Sequence, residues 1–191
     1  MGFSDVLFGR KKLKDSAQER LFALSTARVT LDAELGLKSA GSGGIVFKPL
    51  SAGEFVRAEN DLQQLLDAVG NQSSSKVQRK SDEMGFEWLV VHDQDFESVV
   101  ATVHLIASEL QDRGFGGQLL AADFPFEGKF KEGRAYWIYG FKQGAFWPFV
   151  PTGKDQERDN TEEMELKAKL EGELPIEQDL TRWFGLFGAP L

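Results

Sequence analysis

The side chains best suited to acid–base or metal chemistry in this chain are two histidines and the acids around them. His92 stands in "VVHDQDFE" beside Asp93 and Asp95, and His104 lies in "ATVHLIASEL". A metal reading of the first needs the imidazole and both carboxylates to converge. The plainer account is that Asp93 or Asp95 caps the helix that follows, with His92 at a strand edge. His104 adjoins Val100 and Val103 on a helical stripe, where a core-flanking histidine is the expectation. One histidine per element, no HExxH pattern and no cysteine supply neither a zinc set nor a nucleophile–base pair. "RGFGGQLL" puts Gly114, Gly116 and Gly117 after a helix and before a strand. A nucleotide loop has the opposite order, so these glycines read as a helix end and a turn. Carboxylates are plentiful, but nothing singles out a glycosidase-like pair. The expectation is a protein that is not an enzyme, with no catalytic residues, metal or cofactor.

The elements that would position these groups follow from periodicity. "DSAQERLFAL" offers a capping box, Ser16 with Glu19, ahead of a helix whose apolar residues are Leu21, Leu24, Ala27, Val29, Leu31 and Leu35. A break is expected near Ser25-Thr26. "KSAGSGG" (38–44) reads as a loop and "GIVFKPL" as a strand ended by Pro49. Phe55, Ala58, Leu62, Leu65, Leu66 and Val69 then form one helical stripe, repeated 41 positions later by Phe96, Val99, Val103, Ile106, Ala107 and Leu110. Each helix leads into a β-hairpin, the first turning near Glu83–Gly85 and the second within 127–133. A further strand, "GAFWPFV", follows the Gln143-Gly144 turn. A helix-hairpin unit used twice predicts an α+β fold of pattern αββ-αβββ, an antiparallel sheet with helices on one face. An N-terminal helix and a C-terminal helical extension complete it.

Three segments are expected: a basic amphipathic stretch over 1–14, an α+β domain over 15–150, and an acidic helix with an apolar tail over 151–191, packed on the domain. "PTGKDQERDN" reads as a polar linker, and Asn160 with Glu163 as the cap of a helix reaching about Leu170. Glu163–Lys167 and Glu165–Lys169 are spaced as favourable i,i+4 pairs. Trp183, Phe184, Leu186, Phe187 and Leu191 are too apolar for a solvated tail and must dock.

The chain has 191 residues, 41% of them hydrophobic with 16 Phe, enough for a packed core, and a net charge of −8. Such acidity disfavours nucleic acid, which needs clustered Lys and Arg. The lack of cysteine fits a reducing cytoplasm, and no apolar run approaches the roughly 20 residues of a membrane span. The opening "MGFSDVLFGRKKLK" departs from this pattern, with Arg10, Lys11, Lys12 and Lys14 against Asp5 alone. As a helix it would place Phe3, Val6, Leu7 and Phe8 ahead of those cations. Burying four apolar side chains contributes at most roughly 1.5–3 kcal/mol each, and each cation adds about 1 kcal/mol near anionic lipid. Ordering the backbone costs about 1–2 kcal/mol per residue. The balance is near zero, so this stretch makes an auxiliary, weak peripheral membrane contact or else docks on the body.

"YWIYGFKQGAFWPFV" is the densest aromatic feature. Alternation sends Tyr136, Ile138 and Gly140 to one face of a strand and Trp137, Tyr139 and Phe141 to the other. Either both faces are covered, one by helices and one by the Trp183 segment, or one is a partner-binding surface formed by Tyr136, Trp137, Tyr139, Phe141, Trp147 and Trp183.

Several blocks together resemble one family, PspA-associated protein PspAB of actinobacteria and archaea. They are "LFALSTARVTLDAELGL", "VHLIASELQDRGFGGQLLAADFPF", "YWIYGFKQGAFWPFVP", "ERDN" and "LEGELPIEQDLTRWFGLFGAPL", spread over nearly the whole chain. The resemblance implies a place in the phage-shock envelope-stress system. There PspA, an ESCRT-III-like coiled-coil protein, protects damaged membrane, and PspAB-like genes often neighbour PspA or an HtpX-like membrane metalloprotease. It implies no activity and no catalytic residues. The expected role is a cytoplasmic adaptor for a PspA-like coiled-coil protein. The alternatives are a chaperone-like peptide-binding module or a regulator of an HtpX-like protease.

Overall fold

The structure, a computed structural model, describes residues 19–48 and 64–191. The membrane-contact candidates Phe3, Val6, Leu7, Phe8, Arg10, Lys11, Lys12 and Lys14 lie outside them, as do Ser16 of the expected capping box and Phe55, Ala58 and Leu62 of the first stripe.

A 3-10 turn, Arg20–Phe22, runs directly into helix α1, Ala23–Ala33. Leu21, Leu24, Ala27 and Leu31 bury as the periodicity predicts. Val29 does not: it is 65% exposed, because the helix continues unbroken through Ser25-Thr26 and turns position 29 to solvent.

The stretch read as a loop is largely strand. β1 (Lys38–Ser39) pairs with Glu127 and Phe126, and β2 (Ser42–Phe47) pairs along its length with 87–92. Gly41, at φ +70°, makes the step between them, with its N–H on Ser39 Oγ. Gly43 and Gly44 are in the strand because there is no room for anything larger. A Cβ on Gly43 would meet Val99 and Phe124 at 2.9 Å, and one on Gly44 would meet Leu191 at 2.8 Å.

Residues 64–72 are helical (α2) and send Leu65 and Val69 into the core. The hairpin β3 (Lys76–Ser81) and β4 (Glu87–His92) closes through Asp82, whose carboxylate accepts from the Met84 and Phe86 N–H groups and from the Trp88 indole. Helix α3, Phe96–Asp112, buries all six residues of the predicted second stripe. Asp95 caps it, accepting from Ser98 N–H at 3.1 Å, and Gly114 (φ +90°) turns the chain beyond its end. A meander follows: β5 (Leu119–Glu127), β6 (Arg134–Gly140) and β7 (Ala145–Phe149).

The sheet has seven strands, all paired antiparallel, in the order β3-β4-β2-β5-β6-β7, with β1 prolonging the β2 side of β5. β4, α3 and β5 form a split β-α-β unit with β2 between its strands. Fold class is therefore α+β, as the repeated helix-hairpin pattern predicts. α3 lies on β2 and β4, and α1 packs on α3. Phe96 meets Phe124 and Phe126 edge-on at 6.1 and 5.3 Å under that layer.

The last part of the chain covers what the helices do not. Helix α4, Asn160–Leu170, packs on β7. Its cap is Asp159, accepting from Glu162 N–H, and not the expected Asn160. Glu163 and Lys167 do not pair with each other either: Lys167 meets Glu171 at 3.0 Å, and Glu163 turns inward. Residues 175–177 then pair along the free edge of β7, Phe146 N–H donating to Pro175 O and Glu177 N–H to Phe146 O. On the opposite side β3, bearing Lys76, Arg79 and Lys80, is the outermost strand among the described residues.

Candidate functional site

Register assigns each side chain of the sheet to a face. Gly43, Phe124, Trp137 and Tyr139 look toward the helices. Gly44, Trp88, Asp123, Tyr136, Ile138, Trp147 and Phe149 look the other way. The split of Tyr136 and Ile138 from Trp137 and Tyr139 is the one alternation predicts.

The second face is crossed from β7 toward β3 by residues 183–191, an irregular strap. Phe184 packs edge-on against Trp147 at 4.9 Å, and the Trp147 indole N–H donates to Phe184 O at 2.9 Å. Phe187 meets Phe149 at 4.8 Å, with Gly185 fitted against the same ring. Leu191 lies over Gly44 of β2. Two cations hold the far end by its main chain: Lys80 Nζ donates to Pro190 O at 2.8 Å, and Arg134 Nη1 to Leu191 O at 3.3 Å.

The near end is fastened by a pair that sequence reasoning missed. Arg158 donates through Nε to both oxygens of Glu163, at 2.8 and 3.0 Å, through Nη1 to Trp183 O at 2.9 Å, and more weakly to Pro148 O. Its guanidinium lies over the Phe149 ring, 5.4 Å from the centroid. Glu163, only 1% exposed, also accepts the Val150 N–H. Burial pushes its carboxyl up, while Arg158 and the Val150 N–H pull it down. One planar cation thus ties α4, β7 and the strap together. The only hint was a lone arginine in a stretch that composition marks as linker.

The aromatic residues expected to serve a partner are used up by this packing. Trp137, Tyr139 and Trp147 are completely buried and Trp183 nearly so, its indole donating to Glu177 O. Tyr136 and Phe141 are half-buried against Phe149 and Tyr139. As folded, Trp137, Tyr139, Trp147 and Trp183 are core, and only Tyr136 and Phe141 of the set keep partial exposure.

Asp123 is the discordant group. It stands in mid-β5 between Gly44 and Ile138, completely buried; among the described residues no side chain donates to its carboxylate, and only the neighbouring Phe124 N–H lies close enough to pull its pKa down. Burial drives its carboxyl well above the usual carboxylate range. The signal was in the sequence: an aspartate inside "LLAADFPF" breaks an otherwise apolar strand.

Of the histidines, His92 stands at the far end of this face, by the register that puts Trp88 and Gly44 there, and His104 lies on α3 on the other side. His92 ends β4, and burial with Lys80 and Lys76 nearby lowers its pKa. His104 stacks on Phe22 at 4.7 Å and is likewise lowered, chiefly by burial. Asp93 accepts from Ser75 Oγ at 2.8 Å and from Asp95 N–H at 2.9 Å. Ser75 in turn joins Thr102 and Ser73 in a chain of hydroxyls beside a cleft of about 230 Å³. Among the described residues no three or more His, Asp and Glu side chains gather as metal ligands, and no helix is long and apolar enough to cross a membrane.

The outward side of the C-terminal part is acidic. Asp155, Glu157, Glu165, Glu171 and Glu173 are exposed, while Leu166, Leu170, Leu174 and Ile176 anchor the same stretch in the core. Met164 and Leu180, 37% and 51% exposed, set apolar side chains among the acids.

The family model for PspA associated protein B (PspAB) matches residues 1–191, the whole chain, and the chain belongs to that family. The family's name records an association with PspA. No curated protein and no solved structure matches the chain.

Proposed function

We propose that this member of the PspAB family is a non-enzymatic adaptor of the PspA envelope-stress system, working in the cytoplasm by protein–protein contact. The observation that carries this reading is the acidic surface of residues 154–179. Asp155, Glu157, Glu165, Glu171 and Glu173 face solvent with Met164 and Leu180 among them, while Leu166, Leu170 and Leu174 bury the same stretch in the core. A rigid acidic surface with apolar points suits a basic stripe on a coiled coil. Charge then speeds encounter and sets orientation, and the apolar side chains supply contact area. Residues 1–14 add a weak basic contact to anionic lipid, effective once the partner has brought the chain to a membrane.

The test is binding of the full chain to a purified PspA-like protein over a salt series. Affinity is expected to fall steadily with added salt. The combined substitutions Asp155→Asn, Glu165→Gln and Glu171→Gln should weaken it by about tenfold or more. A complex indifferent to both salt and these substitutions would refute the acidic surface as the site.

A further inference from the structure

The contacts that hold the strap fall into two kinds. Lys80, Arg134 and Trp147 bond to its main-chain oxygens, a form of recognition that any extended peptide satisfies. Phe149 and Trp147 take its aromatic side chains. Asp123 is a fully buried polar group of the covered face that the strap's side chains do nothing for. Residues 183–191 contain a single side chain able to donate a hydrogen bond, the Trp183 indole, and it is spent on Glu177 O. The side chain laid over Gly44, the cross-strand neighbour of Asp123, is the wholly apolar Leu191. A buried carboxyl without a donor opposes docking of whatever buries it. The strap itself is half-exposed along most of its length.

We propose that the strap-covered face is a peptide-binding site held closed by the chain's own residues 183–191. The segment that replaces them is extended and apolar and carries one lysine or arginine, which pairs with Asp123. The strap is then a placeholder that matches the face in shape and main-chain bonding and fails it at a single position. In that complex Asp123 is a specificity-determining group, because a cation beside it gives a buried carboxyl that no side chain partners a charge-assisted hydrogen bond. The other titratable groups facing this position are Tyr136 from β6 and, beyond it, Arg134. Neither bonds to the Asp123 oxygens. This inference is independent of the acidic surface, and either can fail alone.

The test uses the full chain at pH 8, with amide hydrogen exchange of residues 184–191 as the readout. Leu191→Lys, which sets an ammonium beside Asp123, is expected to slow exchange of the strap by about tenfold or more. That gain should vanish when Asp123→Asn accompanies it. Leu191→Gln controls for the lost apolar contact, and β5 and β6 protection in the same spectra reports the fold of each variant. Exchange in the Leu191→Lys chain as fast as in the Leu191→Gln chain, in both backgrounds, would overturn the proposal. A second measurement leaves the protein untouched. A synthetic peptide of residues 182–191 carrying Leu191→Lys should bind the wild-type chain about tenfold or more tightly than the unaltered peptide, and lose that preference on the Asp123→Asn chain. Equal affinities, or no binding of either peptide, would also overturn it.

Discussion

On one face of the sheet α3 lays Val99, Val103 and Ile106 against β2 and β4, all completely buried, with α1 packed behind it. On the other face residues 183–191 do the covering with no helix or strand of their own beyond three initial contacts to β7. Phe184 there remains 39% exposed. The helical cover is inseparable from folding: its buried side chains pack directly on the sheet's core residues, and its backbone satisfies its own hydrogen bonds. The strap satisfies its main chain by borrowing Lys80, Arg134 and Trp147, and it buries an acid it does not partner. The lesson is that the two covers differ in cost of removal. One comes off only with global unfolding, the other by a local opening of the kind seen at the low-stability end of a domain.

The largest effect that could break this contrast is at the fastening point. Arg158→Ala leaves Glu163 buried without its cation and should cost about 3–5 kcal/mol. Urea denaturation measures that loss, and strap amides should exchange faster well below the transition. A stability unchanged by this substitution would mean that the strap is anchored elsewhere. Next comes a matched pair of truncations. Ile106→Ala on the helical face should cost about 2–5 kcal/mol, whereas Phe187→Ala on the strap should cost about 1 kcal/mol. Similar losses for both would erase the distinction between core and cover. The smallest effect is the most diagnostic of the covered face. The Asp123 carboxyl is raised by burial, so the folded chain keeps a proton that the unfolded chain gives up. Stability should therefore be full below the ordinary carboxylate range and decline as pH rises through it toward the raised value. Melting temperatures between about pH 4 and 9 should show this slope in the wild type and a flatter profile in Asp123→Asn. Equal slopes would place the burden on another group.

What was legible in the sequence was whatever repeats locally. The stripe from Phe96 to Leu110 buries in full, both hairpins turn where glycines and polar residues cluster, and the aromatic strand alternates as read. The failures lie where long-range packing overrides local composition. Gly43 and Gly44 resemble a loop until Val99 on one side and Leu191 on the other show why no Cβ is tolerated. Val29 fits the apolar list but not the helix face. Arg158 looks like part of a polar linker and Glu163 like a cap residue on a surface helix, because nothing nearby in sequence reveals that Val150, Pro148 and Trp183 converge on them. The aromatic strands are covered on both sides, Trp137 and Tyr139 by the helices and Trp147 by the strap. Asp123 could have been found, since a carboxylate within an apolar central strand is rare enough to demand a reason.

The two borders of the sheet carry a consequence for how the protein behaves in a crowd. A bare strand border is a template on which a second molecule can add, and growth into a fibre requires both borders to be open. Here one is sealed by the chain's own residues 175–177, and the other is fenced by Lys76, Arg79 and Lys80, which would repel the same strand of another copy. Among the described residues, neither border is a bare, uncharged strand on which another copy could add.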